Sequence, residues 1–116
     1  MPHILLETTA DLQENSAIPD ILEALVAELS RHETIAPASI KAYHTLRATW
    51  VMGEGAPSGF IHCSVAILSG RPLELRQAIA SGMASVLRSH FSEALEAREA
   101  GLTVEIREMD RETYLK

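Results

Sequence analysis

The chain has 116 residues, 47% of them hydrophobic and 22% charged, with a formal net charge of −6. One compact domain spanning residues 1–116 is expected from that length. The acidic balance argues against broad nucleic-acid binding and against docking on an anionic membrane. The single cysteine, Cys63, permits no intrachain disulfide, so nothing calls for an oxidising compartment. No signal-peptide pattern opens the chain, and no apolar run approaches the ~18 residues of a membrane span. A cytoplasmic location is therefore the expectation.

In chain order, His3–Thr8 reads as a strand, with Ile4 and Leu6 on one face and Leu5 on the other. Polar residues from Asp11 to Ser16 form a loop. Ile21, Leu22, Leu25, Val26 and Leu29 recur at helical spacing. With Pro19 in its first turn, and Asp20 and Glu23 at the positive end of the dipole, a helix is predicted over Pro19–His32. Ile40–Met52 is rich in β-formers and reads as a second strand. The run Gly53–Gly59 is a loop, and Phe60–Leu68 a third, largely buried strand.

Ser69-Gly70 turns the chain, and Pro72 suits a first helical position. Leu75, Ile79, Met83, Val86, Leu87, Phe91, Ala94 and Leu95 continue at helical spacing, with Gly101 as the stop. Leu102–Arg107 alternates and reads as a fourth strand. The order is β-α-β, loop, β-α-β. The fold class is α/β (α+β), with two βαβ units forming one four-stranded sheet that carries two helices on one face. The other face needs cover, and oligomerisation would supply it.

Two groups stand out chemically. If Met1 is removed, Pro2 becomes a secondary amine, a base whose pKa its surroundings can move towards neutrality. Proline also follows methionine in many proteins with no catalytic purpose. Arg71 lies between a strand and a helix N-terminus, a place that favours anions. A guanidinium is unfavourable there unless something compensates it, and a bound carboxylate, gripped in bidentate fashion, would do so. If the third strand runs antiparallel beside the first, Arg71 and Pro2 share an edge. A base beside a carboxylate clamp suits proton transfer in a keto or enol acid. Lys41, at the start of the second strand, is a candidate second cation for a dianion.

The remaining features point elsewhere. The five histidines have no metal-ligand spacing, so no metal and no cofactor are expected. His62 reads as a hydrogen-bonded core residue and Cys63 as a buried structural thiol. The two point to opposite faces of their strand and form no dyad. Trp50 and Phe60 read as core aromatics at strand ends. Walker, GxGxxG and GxSxG signatures are absent.

Taken together, Pro2-His3, Thr49-Trp50, Ile61-His62, Gly70-Arg71-x-Leu73-Glu74-x-Arg76-Gln77 and His90-Phe91 resemble the 5-carboxymethyl-2-hydroxymuconate isomerase family of the tautomerase superfamily. The resemblance covers nearly the whole chain and weakens in the C-terminal tail. It implies a homotrimer of two-βαβ subunits that converts a dienol to its conjugated keto isomer without a cofactor, in bacterial aromatic catabolism. It makes Pro2 the general base and Arg71 a substrate-binding residue. Lys41 stands where the family has an arginine, and Tyr43 where it has another. The substrate class implied is a small unsaturated di- or tricarboxylate. A hydratase-like or dehalogenase-like reaction on the same proline, or a non-catalytic trimeric binding protein, are the alternatives.

Overall fold

The computed structural model describes residues 1–116. Strand β1 (His3–Thr9) leads through a 3-10 turn (Gln13–Ala17) into helix α1 (Ile18–Ser30). A second 3-10 turn (Pro37–Ser39) precedes β2 (Lys41–Arg47). The second half contains β3 (Gly59–Leu68), α2 (Leu73–His90), the short α3 (Ser92–Glu96) and β4 (Ala100–Met109).

The strands lie in the order β2-β1-β3-β4. Each half is a parallel pair bridged by a helix: β1 with β2 from His3↔Lys41, and β3 with β4 from Gly59↔Ala100. Parallel neighbours require such a crossover. The two halves meet along one antiparallel ladder, in which His3 faces Ala66 and Thr8 faces Ile61.

Alternation decides which face the helices cover. Ile4 and Leu6 of β1, and Ile61, Cys63, Val65 and Ile67 of β3, are fully buried on one face. Onto them pack Ile21, Leu25 and Leu29 of α1 and Ile79, Met83 and Leu87 of α2. Phe91 and Ala94 close the core beyond α2. Full burial of each such aliphatic side chain is worth about 1.5–3 kcal/mol. The opposite face carries His3, Glu7, Tyr43, His62, Glu105 and Arg107, so its side chains are mostly polar.

Five local expectations need correction. β2 ends at Arg47, because the chain turns away and the Trp50 indole Nε1–H donates to the Ser58 carbonyl at 2.8 Å. Trp50 thereby ties the glycine loop rather than filling the core. Pro72 caps α2 from outside: its backbone is extended (φ −66°, ψ 156°), and its carbonyl accepts the Leu75 and Arg76 N–H groups. The long helical pattern breaks at Phe91, since α2 ends at His90 and a separate short helix follows.

Gly101, finally, lies within β4 rather than stopping the helix. Arg98 makes the turn instead, in the left-handed conformation at φ 59°. The Arg98 N–H donates to the Leu95 carbonyl and the Glu99 N–H to the Ala94 carbonyl, the two bonds of a Schellman cap. Glycine adopts this conformation without the Cβ penalty of about 1–2 kcal/mol. Arg98→Gly is therefore expected to raise stability by about 1 kcal/mol, read as a higher urea midpoint at fixed protein concentration.

Candidate active site

The antiparallel β1–β3 ladder places the residue entering β1 beside the turn leaving β3. Pro2 is buried there. Its carbonyl accepts the Lys41 N–H at 3.0 Å, which extends the β1–β2 ladder by one step. Gly70 makes the turn after β3 with φ 112°, a backbone conformation that suits glycine. Arg71 follows and points back over the end of the sheet.

Its guanidinium is held at three points. Nε donates to Thr34 Oγ1 at 3.2 Å, Nη1 to the Leu68 carbonyl at 3.2 Å, and Nη2 to the Thr34 carbonyl at 3.0 Å. A guanidinium has five N–H donors, so one remains on each terminal nitrogen. Thr34 is itself positioned by its neighbour Ile35, which is inserted into the core.

Pro2 and Arg71 line one cavity of about 190 Å³. Thr34, Ser39 and Lys116 contribute polar wall, and Ile35 and Leu68 apolar wall. Met1 sits in the same cavity, and its amine is held below the ordinary range. Burial is the main cause, followed by the charges of Lys41, Lys116 and Arg71. Lys41 does not line the wall. Its side chain is exposed and Nζ donates to the Ser39 carbonyl at 3.3 Å, which puts the charge at the rim.

Thr34, Ser39 and Lys116 escaped the sequence reading. A threonine in a loop and a serine in a three-residue 3-10 turn carry no periodic signal, and Lys116 belongs to the tail where the resemblance fades. A His3 cluster escaped it too. His3 Nε2 lies 2.8 Å from the Tyr114 hydroxyl, and the Tyr43 hydroxyl lies 3.3 Å from Nδ1. Both tyrosine rings meet the imidazole edge-on, with centroids 6.0 Å away. Burial, then the charges of Lys41 and the N-terminus, lower the His3 pKa. A neutral ring suits this arrangement: Nε2–H donates to Tyr114, whose hydroxyl donates on to the Met1 carbonyl, and Nδ1 accepts from Tyr43.

His62 is hydrogen-bonded as expected, but it lies on the polar face of the sheet rather than in the core. Its Nδ1 is 2.6 Å from Thr103 Oγ1 and its Nε2 3.3 Å from Glu105 Oε1. Glu105 also accepts from Ser64 at 2.7 Å and from Arg107 Nε at 3.2 Å. The bonds from Ser64, His62 and Arg107, in that order, hold its carboxyl down at about 2. Phe60, opposite Gly101, lies at the other end of β3 from Pro2. No three His, Cys, Asp or Glu side chains converge as metal ligands.

The model of the 5-carboxymethyl-2-hydroxymuconate isomerase family matches residues 2–116. The chain belongs to this family. Membership makes it an isomerase. It is 26% identical, over 110 residues, to the 5-carboxymethyl-2-hydroxymuconate Delta-isomerase of Escherichia coli, covering 94% of this chain and 87% of that one. The crystal structure of a family isomerase from Deinococcus radiodurans R1 superposes with a TM-score of 0.89 at 27% identity, over 99% of this chain and 87% of the other. A fused 4-OT wild-type symmetric trimer shares the fold at 18% identity, with a TM-score of 0.70 over 94% and 86% of the two chains. The fold is thus that of the tautomerase superfamily.

Cys63 lies outside this chemistry. It is fully buried in the core, and burial pushes its thiol up to about 12. The folded isomerase should therefore resist a disulfide-exchange reagent at pH 8, with one thiol per chain appearing only in denaturant. Absorbance of the released thiol chromophore reports both states.

Proposed function

We propose that this chain is a cofactor-free tautomerase in which Pro2, freed by removal of Met1, is the general base. The observation that carries the reading is the meeting of Pro2 and Arg71 in one cavity. The substrate is a small dienol carrying two or three carboxylates, such as 5-carboxymethyl-2-hydroxymuconate, and the setting is cytoplasmic breakdown of aromatic compounds. Residues 1–116 act as one tautomerase-like domain within a homotrimer. The symmetric trimer of the 4-OT fold neighbour supports that assembly.

The chemistry balances without any other reactant. The Pro2 amine takes the hydroxyl proton of the 2-hydroxy-2,4-diene. The oxygen lone pair becomes the 2-oxo double bond, and the remaining double bond shifts to C3–C4. The prolinium returns the proton to C5. Such a shuttle works best when the amine pKa is near the working pH. Burial and cations already depress the Met1 amine in this cavity, and the same causes would act on a Pro2 amine. Arg71, with one free N–H on each terminal nitrogen, holds the carboxylate next to the enol and favours the charge that develops on oxygen. Lys41 adds positive potential from the rim.

Met1-free protein, verified by mass, should ketonise 2-hydroxymuconate rapidly in an ultraviolet assay. Pro2→Ala should lower kcat by about 10²-fold or more with an unchanged circular dichroism spectrum. Protein that retains Met1, where Pro2 is an amide, should be inactive. An equally fast Pro2→Ala variant would remove Pro2 from the role.

The pH profile gives an independent check. The base must be neutral to act, so kcat/KM should rise with pH through the amine pKa. Cations lower that pKa, so deleting one raises it. Arg71→Ala should move the rising limb to higher pH and raise KM. Arg71→Lys should restore the limb better than it restores KM, because an ammonium returns the charge but not the planar fork.

A further inference from the structure

The tail after β4 is built to return to the active-site cavity. Asp110 starts a tight turn in which its carbonyl accepts the Thr113 and Tyr114 N–H groups and its Oδ1 accepts the Glu112 N–H at 2.9 Å. Arg111 crosses the Ser69-Gly70 turn and donates from Nε to the Ser69 carbonyl at 2.5 Å. A Cβ on Gly70 would sit 3.6 Å from that Nε, so the crossing is close. Tyr114 then binds His3, the residue after Pro2. These attachments bring Lys116 into the wall of the cavity that holds Pro2 and Arg71.

Two basic residues therefore line the cavity, Arg71 ahead of α2 and Lys116 after β4, while Lys41 points to the rim. Arg71 can grip one carboxylate. A ligand with a second carboxylate at its far end needs a second positive partner, and Lys116 is the other basic residue in the lining. We propose that Asp110–Lys116 is a specificity strap in which Lys116 binds the second carboxylate of a dianionic ligand, and that Tyr114, through His3, is the residue that positions it. This assignment deepens the proposed tautomerase reading and rests on it for the site's purpose. The expected ligand is an extended, unsaturated dicarboxylate. The lowered pKa of the Met1 amine, to which Lys116 contributes, is consistent with an ammonium facing the cavity.

A matched pair of unreactive ligands isolates the second carboxylate. Muconate (hexa-2,4-dienedioate) and sorbate (hexa-2,4-dienoate) share a six-carbon diene and differ by one terminal carboxylate. Calorimetric titration of Met1-free protein should show tighter binding of muconate. Lys116→Ala should reduce the muconate-to-sorbate affinity ratio about tenfold, the scale of one charge-assisted hydrogen bond. Tyr114→Phe should reduce the same ratio. The double variant should be no worse than Lys116→Ala alone, because both changes act on one contact. Arg71→Ala should instead weaken both ligands together.

Equal ratios in native protein and Lys116→Ala would overturn the assignment, as would a native protein that does not favour muconate. Additive losses in the double variant would remove the positioning role of Tyr114. Failure of the tautomerase reading looks different: native protein would leave 2-hydroxymuconate unketonised, whatever the affinity ratio.

Discussion

The site depends on one antiparallel ladder. β1 and β2 run parallel, as do β3 and β4, and only β1 and β3 oppose each other. Opposition makes the start of β1 coincide with the end of β3, so Pro2 and the turn carrying Arg71 become neighbours. A parallel β1–β3 pair would separate them by roughly 20 Å, the length of a short strand. Register matters as much. A one-residue slip would turn Ile4 and Leu6 out of the core, and eighteen buried residues stand behind the observed pairing. The same hydrophobic alternation that stabilises the sheet therefore positions the chemistry.

Charge is arranged against the average. The chain is acidic overall, yet Arg71 and Lys116 line the cavity and Lys41 flanks it. A positive charge on the residue just ahead of α2 is unfavourable beside the positive end of that helix. Oxygen acceptors from Thr34 and Leu68 offset this and leave two N–H groups unused. Burial, and after it the charges of Lys41, Lys116 and Arg71, depress a nearby amine.

The helix-free face follows a different logic. Glu105 collects hydrogen bonds from Ser64, His62 and Arg107, and Arg47 pairs with Glu7. These polar groups satisfy one another in two clusters, one across β3 and β4 and one across β1 and β2. Because bonding to the charged form dominates, Glu105 stays ionised until pH falls to about 2. The linkage sign is that of a depressed carboxyl: its stabilising effect is present above the ordinary carboxyl range and is lost as acid protonates it.

Much of this was legible in the residues themselves. Alternation in HILLET marked β1, the largely buried apolar run FIHCSVAIL marked β3, and the spacing of Ile21, Leu25 and Leu29 marked α1, because burial is a local pattern. Element ends were less legible. The Trp50–Ser58 bond shortened β2, and Arg98 made a turn that composition assigned to Gly101. Pro2 and Arg71 could be named from the sequence because an imino acid after Met1 and an arginine at a strand–helix turn are chemically conspicuous. Their meeting could only be conditional, since it turned on whether β3 ran antiparallel to β1. Thr34, Ser39 and Lys116 needed the tertiary structure entirely. They come from a loop, a one-turn 3-10 segment and the tail, too short or irregular for periodicity to report direction, and the folded chain alone decides which side chains share a cavity. The sequence by itself determined the elements, their buried faces and the two main candidate residues; long-range strand pairing and the docking of the tail decided that those residues line one cavity.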